Sequence, residues 1–528
     1  MNESNNESKK NISFLIPSIA DVIFICTLLF LSFSAGESLL NDGDTGYHIR
    51  AGEYILETLS IPRQDIFSFL SPPLPWTAHE WLSEVVMAVI HRVFGLSGIV
   101  IFFSIIISLV YYLLFKIIKT KKDYIIPTVF IVLLVLSSLI IHWLARPHIF
   151  SLLFTLIWYY LLDQYQYEKK NYLYFLPPIM LLWVNLHGGF LAGFILLGIY
   201  LFSNVVNFIT SKGVDRDTYK KRAIYFGLIT VVCLFVSLIN PFGYRILLFP
   251  FNLVSNKFIM DIVSEFMSPN FHFRYVYSFK CLLLLMIVIF AISKVKIKLI
   301  EILLVLMFTN MSLYSARYIP LFSIIVAPIL LRQFRPVLEQ SGGRFVNFIK
   351  KRSDSISETD ESARGYLWPV VAVILIVILA SAGKIDFKFS EKRAAVAAVE
   401  FLKNEHIKGN MFNNAEIGDY IIYAAWPKYK VCVDGRLDMY GAGILKEYLE
   451  LARVKPGWEK TLEKYNFSWI IYNANTPLSI LLMQRDDWRL IYADRVANIF
   501  VKDIPENQYL IEKYPDVELV VVDEDEDE

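Results

Sequence analysis

The stretch "NDGDTGYHIRAGEYIL" (Asn41–Leu56) gathers Asp42, Asp44, His48, Arg50 and Glu53 into one short loop beside a long apolar run. Carboxylates placed there suit general-base chemistry or metal ligation. If "TGYHIRAGEYIL" forms a helix, Asp44 sits near its N-terminal end, where a carboxylate is also favoured as a cap. Asp44 and His48 stand four positions apart and share a helix face. Further on, "TAHEWLSEV" (Thr77–Val85) brings His79 and Glu80 back to the same interface. A divalent ion held by Asp42, Asp44, His48 or His79 stays open, because carboxylates and imidazoles share such ions. The alternative is a solvated turn with a helix cap.

Basic residues form the second group. Arg146 in "ARPH", Arg245 in "NPFGYR" and Arg317 in "SARY" occupy equivalent ends of apolar runs. Guanidinium forks bind phosphate oxygens bidentately, so three of them converging would make a phosphate site. Their alternative is snorkelling to lipid phosphates. His187 in "NLHGG" could bond a substrate oxygen while Gly188 and Gly189 allow close backbone approach, or it could be a packed, satisfied histidine. Asp21, inside the first apolar run, reads as a partner-fixed structural acid.

The elements that must position these groups are membrane spans. The chain has 528 residues, 55% hydrophobic and only 19% charged, with a mean hydropathy of +0.48. Soluble domains carry about 25% charged residues. The composition is that of an integral membrane protein. The net charge of +1 gives no reason to expect nucleic acid. Cys26, Cys233, Cys281 and Cys432 have neither disulfide-framework nor zinc-type spacing. Apolar runs at about 16–35, 96–117, 124–143, 148–165, 172–186, 189–208, 222–240, 278–294, 298–315, 318–332 and 366–383 predict about eleven spans.

Lysine and arginine set the orientation. Lys9 and Lys10, Lys116 to Lys122, Lys169 and Lys170, Lys212 to Arg222, Lys294 to Lys298, and Arg332 to Arg364 all fall on one side. By the positive-inside rule that side is cytoplasmic. The N-terminus is then inside, the C-terminus outside, and every histidine lies in an outer segment. Residues 172–186 make only about 22 Å of helix against a hydrocarbon core of about 30 Å. A turn at "NLHGG" therefore falls within the bilayer, which is tolerated only in buried protein or beside a wet cavity. The pair turning at "SARYIP" has the same form. An outward-facing polar cavity in the outer leaflet follows as an expectation.

After the last span the character changes. "NMFNN", "YKVCVD", "SWIIYN", "RLIYAD" and "NIFVK" read as short strands between helical patterns, a small α/β domain. "VDGRLDMYG" (Val433–Gly441) follows a strand at the edge where open sheets place ligands. Its Asp434, Arg436 and Asp438 equally suit a local turn network. No G-x-G-x-x-G and no Walker loop supports nucleotide binding. The expected division is a membrane domain 1–383 that includes the first outer loop 36–95, a flexible cytoplasmic linker 340–365 within it, an extracytoplasmic α/β domain 384–522, and an acidic disordered tail 523–528.

With these parts in place the chain resembles the GT-C superfamily of membrane glycosyltransferases. Within it, the chain is similar to the bacterial branch described as RgtA/B/C/D-like or protein-mannosyltransferase-like. The resemblance rests on "NDGDTGYH", "PRQDIFSF…W..HEWLSE", "RPH", "W.NLHGGF", "NPFGYR" and "VDGRLDMY". It implies a polytopic α-helical membrane protein, with about eleven spans and a C-terminal extracytoplasmic α/β domain, in the cytoplasmic (inner) membrane. It implies inverting transfer of a sugar from a polyprenyl-phosphate donor to a glycan, lipid or protein acceptor of the cell envelope. Asp44 would be the base, with Asp42 second. Relatives carry adjacent acids, whereas Gly43 separates these two, which leaves the choice between them open. Arg146, His187, Arg245, Arg317, His79, Glu80 and His48 would line the substrate site. A transporter or flippase of lipid-linked glycans, and a non-catalytic envelope assembly protein, are the alternative functions.

Overall fold

A computed structural model describes residues 15–119, 124–363 and 365–520. Lys9, Lys10, Lys121, Lys122, Arg364 and the 523–528 tail lie outside the described residues. The chain is a multi-pass membrane protein that divides into two compact units. Unit one comprises Met1–Gly36, Val100–Trp143 and Pro147–Asp386; unit two comprises Glu37–Ile99, Leu144–Arg146 and Phe387–Glu528. The first outer loop, which the sequence places with the spans, groups with the C-terminal segment.

The regular elements among unit one's described residues are all helices, as long apolar runs dictate where backbone groups must satisfy one another. Each predicted apolar run forms or enters a helix. The expected eleven crossings are not confirmed, however. Among the described residues five helices are long and apolar enough to cross a membrane, or six if the bent pair Arg344–Ser362 and Leu367–Ser381 counts as one span. Ile19–Phe33, Leu173–Leu186, Arg245–Ser255 and Leu299–Tyr314 are shorter apolar helices. At 1.5 Å per residue, helices of this length cover only part of a core about 30 Å thick. Gly213–Ser237 is long, but its first turns carry Asp215, Arg216, Asp217, Lys220, Lys221 and Arg222.

The expected linker 340–365 is not wholly irregular. Its middle is the helix Arg344–Ser362. Ser353 is buried and accepts from the Ile126 N–H (3.3 Å). Asp360 accepts from the Ile19 N–H (2.6 Å) and pairs with Lys119. These contacts hold the second half of the helix, which a Ser/Lys/Glu-rich composition does not disclose.

Within unit one the two ends of the helix His148–Tyr167 have different chemistry. Ser151 near its start bonds His187, while Asp163 near its end bonds Arg332. Twelve residues of helix separate Ser151 from Asp163, about 18 Å. Asp163, Arg332, Glu301 and Tyr159 form an ion-paired cluster at that second end.

Unit two contains a four-stranded sheet: β1 (Asn410–Asn413), β2 (Phe467–Asn473), β3 (Trp488–Ala493) and β4 (Ala497–Lys502), in the order β1-β2-β4-β3. β1 runs parallel to β2, and the other pairs are antiparallel. Its apolar face packs Phe412, Trp458, Phe467, Ile470, Leu478 and Phe500, with Phe69 of the first loop against them. The expected strand "YKVCVD" does not form. Val431 makes one bridge to Ser68, while Cys432 and Val433 bond the Asn413 side chain. Their backbone groups are satisfied by a loop and an amide, leaving no ladder to extend. The helix Asp44–Thr58 forms as expected, and a long helix starts at Trp81 and continues, bent at Gly95, to Ile118.

Candidate active site

The acid loop enters its helix through an Asx-type turn: Asp42 Oδ1 accepts the Asp44 N–H at 2.9 Å. Asp44 is the first residue of the helix and has no capping bond from Gly43. Its carboxylate therefore meets the positive end of the helix dipole. The segment Leu144–Arg146 lies alongside, held by Ala145 N–H to Leu39 O (2.8 Å) and Thr45 Oγ1 to Ala145 O (3.2 Å). Arg146 then forks across both acids. Nη1 reaches Asp42 Oδ2 at 2.7 Å, and Nη2 pairs with Asp44 Oδ2. The guanidinium thus serves two carboxylates, where the sequence expected it to serve a phosphate.

One turn later His48, 1% exposed, lies between two glutamates: Nε2 to Glu80 Oε2 at 3.5 Å and Nδ1 to Glu84 Oε1 at 3.4 Å. Glu80 also faces His79, with Nε2 at 3.6 Å from Oε1. Asp42 and Asp44 turn to Arg146, while His48 and His79 turn to glutamates. Among the described residues no group of three or more His, Cys, Asp or Glu side chains is placed to hold a metal ion. The four candidate ligands do not form one donor set.

The helix Ala415–Ala425 packs directly on the acid helix. A side chain at Gly46 would meet Tyr423 Cβ at 2.8 Å and the Asp419 carbonyl at 3.0 Å, so the two backbones touch there. Arg50 locks the pair by donating to Tyr423 O (2.6 Å). This contact delivers Asp419, 1% exposed, to the acid loop. Burial pushes its carboxyl well above the usual range, and Asp44, Asp434 and Asp42 push it further. Asp419 and Asp44 both border the small space in front of Gly435, whose N–H donates to Asp419 Oδ1 at 2.8 Å.

Gly435 belongs to the "VDGRLDMY" turn, which a buried ion cluster fixes. Asp434 accepts from Arg436 Nε (2.8 Å), Arg436 Nη2 (2.6 Å) and the Tyr440 hydroxyl (2.7 Å). Arg436 Nη2 also reaches Asp65 Oδ1 at 2.7 Å, and the guanidinium lies over Phe67 and Trp76. Burial alone would raise the Asp65 carboxyl. Arg436, Ser68 and the Phe67 N–H outweigh it and hold the group below the usual range. Asp438 is pushed up by burial despite nearby His79 and Arg436.

The other expected residues lie in unit one. His187 is buried; its Nδ1 meets Ser151 Oγ (2.7 Å) and accepts the Gly189 N–H (2.9 Å), while Trp183 Nε1 donates to Ser151 Oγ (2.7 Å). "NLHGG" and "NPFGYR" dock on each other, Asn240 Nδ2 donating to Asn185 Oδ1 at 3.1 Å. Arg245 is exposed at the start of the helix Arg245–Ser255. Arg317 pairs with Glu265 at 3.1 Å and lies over Phe266.

No described protein family and no curated protein matches the chain in sequence. Solved structures do match. The archaeal oligosaccharyltransferase AglB from Archaeoglobus fulgidus, in complex with an inhibitory peptide and a dolichol-phosphate, is similar over 86% of this chain and 69% of its own, with a TM-score of 0.53 and 11% identity. The apo form of the Archaeoglobus fulgidus oligosaccharyltransferase gives a TM-score of 0.50 over the same shares, also at 11% identity. ArnT from Cupriavidus metallidurans bound to undecaprenyl phosphate covers 92% of this chain and 98% of its own, with 12% identity and a TM-score of 0.45.

The chain shares the fold of the AglB structures. At such identities the likeness is one of fold, and the chemistry must be argued from the site itself. Here the acid loop gathers Asp42, Asp44 and Arg146 as a unit and adds Asp419, Asp434, Arg436 and Asp65, which neither spacing nor composition joins to it. Arg436 and Asp65 stand 371 positions apart. The one local signal for Asp419 is an acid amid apolar residues in "AEIGDYIIYAA", since a lone carboxylate on such a helix must be buried with a purpose or a partner.

Proposed function

We propose that the protein is an inverting glycosyltransferase that moves a sugar from a polyprenyl-phosphate donor to a cell-envelope acceptor at the outer face of the cytoplasmic membrane. The observation that carries the reading is Asp44: a largely buried carboxylate at a helix N-terminus, held by a forked arginine beside a second acid, in a chain that shares the fold of AglB. That AglB is an oligosaccharyltransferase in complex with a dolichol-phosphate supports a lipid-phosphate donor here.

In the reaction, Asp44 accepts the acceptor hydroxyl proton as that oxygen attacks the anomeric carbon. The bond from that carbon to the phosphate oxygen breaks, polyprenyl phosphate departs, and one displacement inverts the configuration. General-base assistance of this kind contributes about 100- to 10,000-fold. Asp42 is the second acid, and with Arg146 it fixes the orientation of Asp44. His48, His79 and Glu80 form the adjoining polar wall. Charge developing on the departing phosphate calls for fixed cations beside it.

The test is mass spectrometry of envelope glycans and glycolipids from a deletion strain complemented with wild-type protein or with Asp44→Asn. A product one sugar short in the deletion strain, restored by wild type and not by an equally expressed D44N, supports the proposal. Restoration by D44N removes the catalytic reading and favours a transport or assembly role.

A further inference from the structure

Gly435 has no room for a side chain. A Cβ there would overlap Asp44 Oδ1 and lie 3.0 Å from Asp419 Oδ2. Its φ is outside the left-handed region, so the requirement is for space and not for a special backbone conformation. The turn carrying it is tethered on both sides. Upstream, Asn413 Oδ1 accepts the Cys432 N–H and Asn413 Nδ2 donates to Val433 O, both at 2.7 Å. Downstream, Asp434 takes the Arg436 N–H (3.0 Å), the Arg436 side chain and the Tyr440 hydroxyl, and Arg436 carries the chain of bonds on to Asp65. Asp434 and Arg436 are almost wholly buried, and aromatic rings cover the guanidinium. Charged pairs so enclosed have one arrangement that satisfies them, and losing it is costly.

We propose that the Val433–Tyr440 turn is the positioning element of Asp44: the Asp65–Arg436–Asp434 clamp fixes the turn, and Gly435 leaves the space in which the Asp44 carboxylate is seated beside Asp419. The C-terminal segment is then part of the reaction site. Gly435, Asp434, Arg436 and Asp65 are positioning residues, acting through Asp44 without touching substrate. This rests on the reading of Asp44 as the base.

The test uses full-length protein in liposomes with a radiolabelled polyprenyl-phosphate sugar, comparing wild type, Gly435→Ala, Asp44→Asn and the double variant in single-turnover and steady-state kinetics. Displacing a catalytic group by about 1 Å costs about 100-fold. G435A is expected to lose about that factor in kcat while its donor KM and melting temperature stay near wild type. In the D44N background the added G435A change should lower the residual rate no further, because the residue through which it acts is already disabled. Wild-type kcat in G435A, or a kcat loss that follows a fall in melting temperature, overturns the inference. If G435A does not fold, Tyr440→Phe carries the test. Loosening the turn should lower kcat severalfold at constant KM, and an unchanged kcat overturns it. An active D44N would instead defeat the underlying assignment of the base, whatever G435A does.

Discussion

Replacing Arg146 by alanine isolates the device that lets two acids share the start of one helix. Arg146 makes charge-assisted bonds to Asp42 and to Asp44, whose side chains are only 24% and 12% exposed. Removing it leaves two adjacent carboxylates half-desolvated and repelling each other. Breaking a buried pair costs about 3–5 kcal/mol, and partial exposure here reduces that to roughly 2–4 kcal/mol. For a unit of this size 1 kcal/mol moves the melting temperature by about 2–4 °C, so R146A should unfold roughly 5–15 °C lower. Thermal unfolding in detergent, followed by tryptophan emission, measures this. Two further variants separate charge from packing. Arg146→Lys offers one compact ammonium where a fork served two acids, and should fall between wild type and R146A. Adding Asp42→Asn and Asp44→Asn to R146A removes the repulsion, and should recover much of the loss without recovering transfer. An R146A melting temperature within about 1 °C of wild type, or a triple variant less stable than R146A, would mean that Arg146 does not hold the two acids together.

Other outcomes follow from the same contacts. Asp65 titrates below the ordinary range, so its stabilisation is complete above the unfolded value near ~3.9 and vanishes as pH falls through the folded value. Asp65→Asn should be less stable than wild type at neutral pH, with the gap closing below about pH 4 in a pH series of melting temperatures. Asp419 titrates above the ordinary range, so its favourable contribution is present in acid and is lost as pH rises through the folded value. Asp419→Asn keeps an acceptor for the Gly435 N–H and should melt higher than wild type at neutral pH but not at pH 4 or below. Gly46→Val places branched bulk against Tyr423 Cβ and the Asp419 backbone, and should destabilise unit two by about 1–3 kcal/mol.

Periodicity and hydropathy are local properties, and what they govern was legible. The apolar runs are helical, "TGYHIRAGEYIL" is the helix that begins at Asp44, and four of five expected strands are present. The fifth shows the limit: Val431–Val433 has strand composition, but its bonds are taken by the Asn413 side chain and by Phe67–Phe69 of the first loop. Eleven crossings follow from apolar composition, and five or six described helices also have the length, since an apolar helix of 11–16 residues has the composition of a span without it. The segment Arg344–Ser362 reads as a solvated linker, yet Asp360 and Ser353 anchor it to residues far away in sequence. At the site, Asp42 and Asp44 announced themselves by position. The groups facing them did not: Arg436 meets Asp65, and Gly435 meets Asp44, only after two distant segments pack together. "PRQDIFSF" and "VDGRLDMY" are parts of one buried ion cluster, a fact that neither segment discloses alone.

The most direct test of the central claim is transfer by purified protein in liposomes, supplied with a polyprenyl-phosphate sugar of defined anomeric configuration and an extract of envelope acceptors. Release of polyprenyl phosphate, a product of inverted configuration by NMR, and at least ~100-fold slower transfer by Asp44→Asn with donor affinity preserved are the expected results. Transfer at the wild-type rate by D44N, or a product of retained configuration, would contradict it.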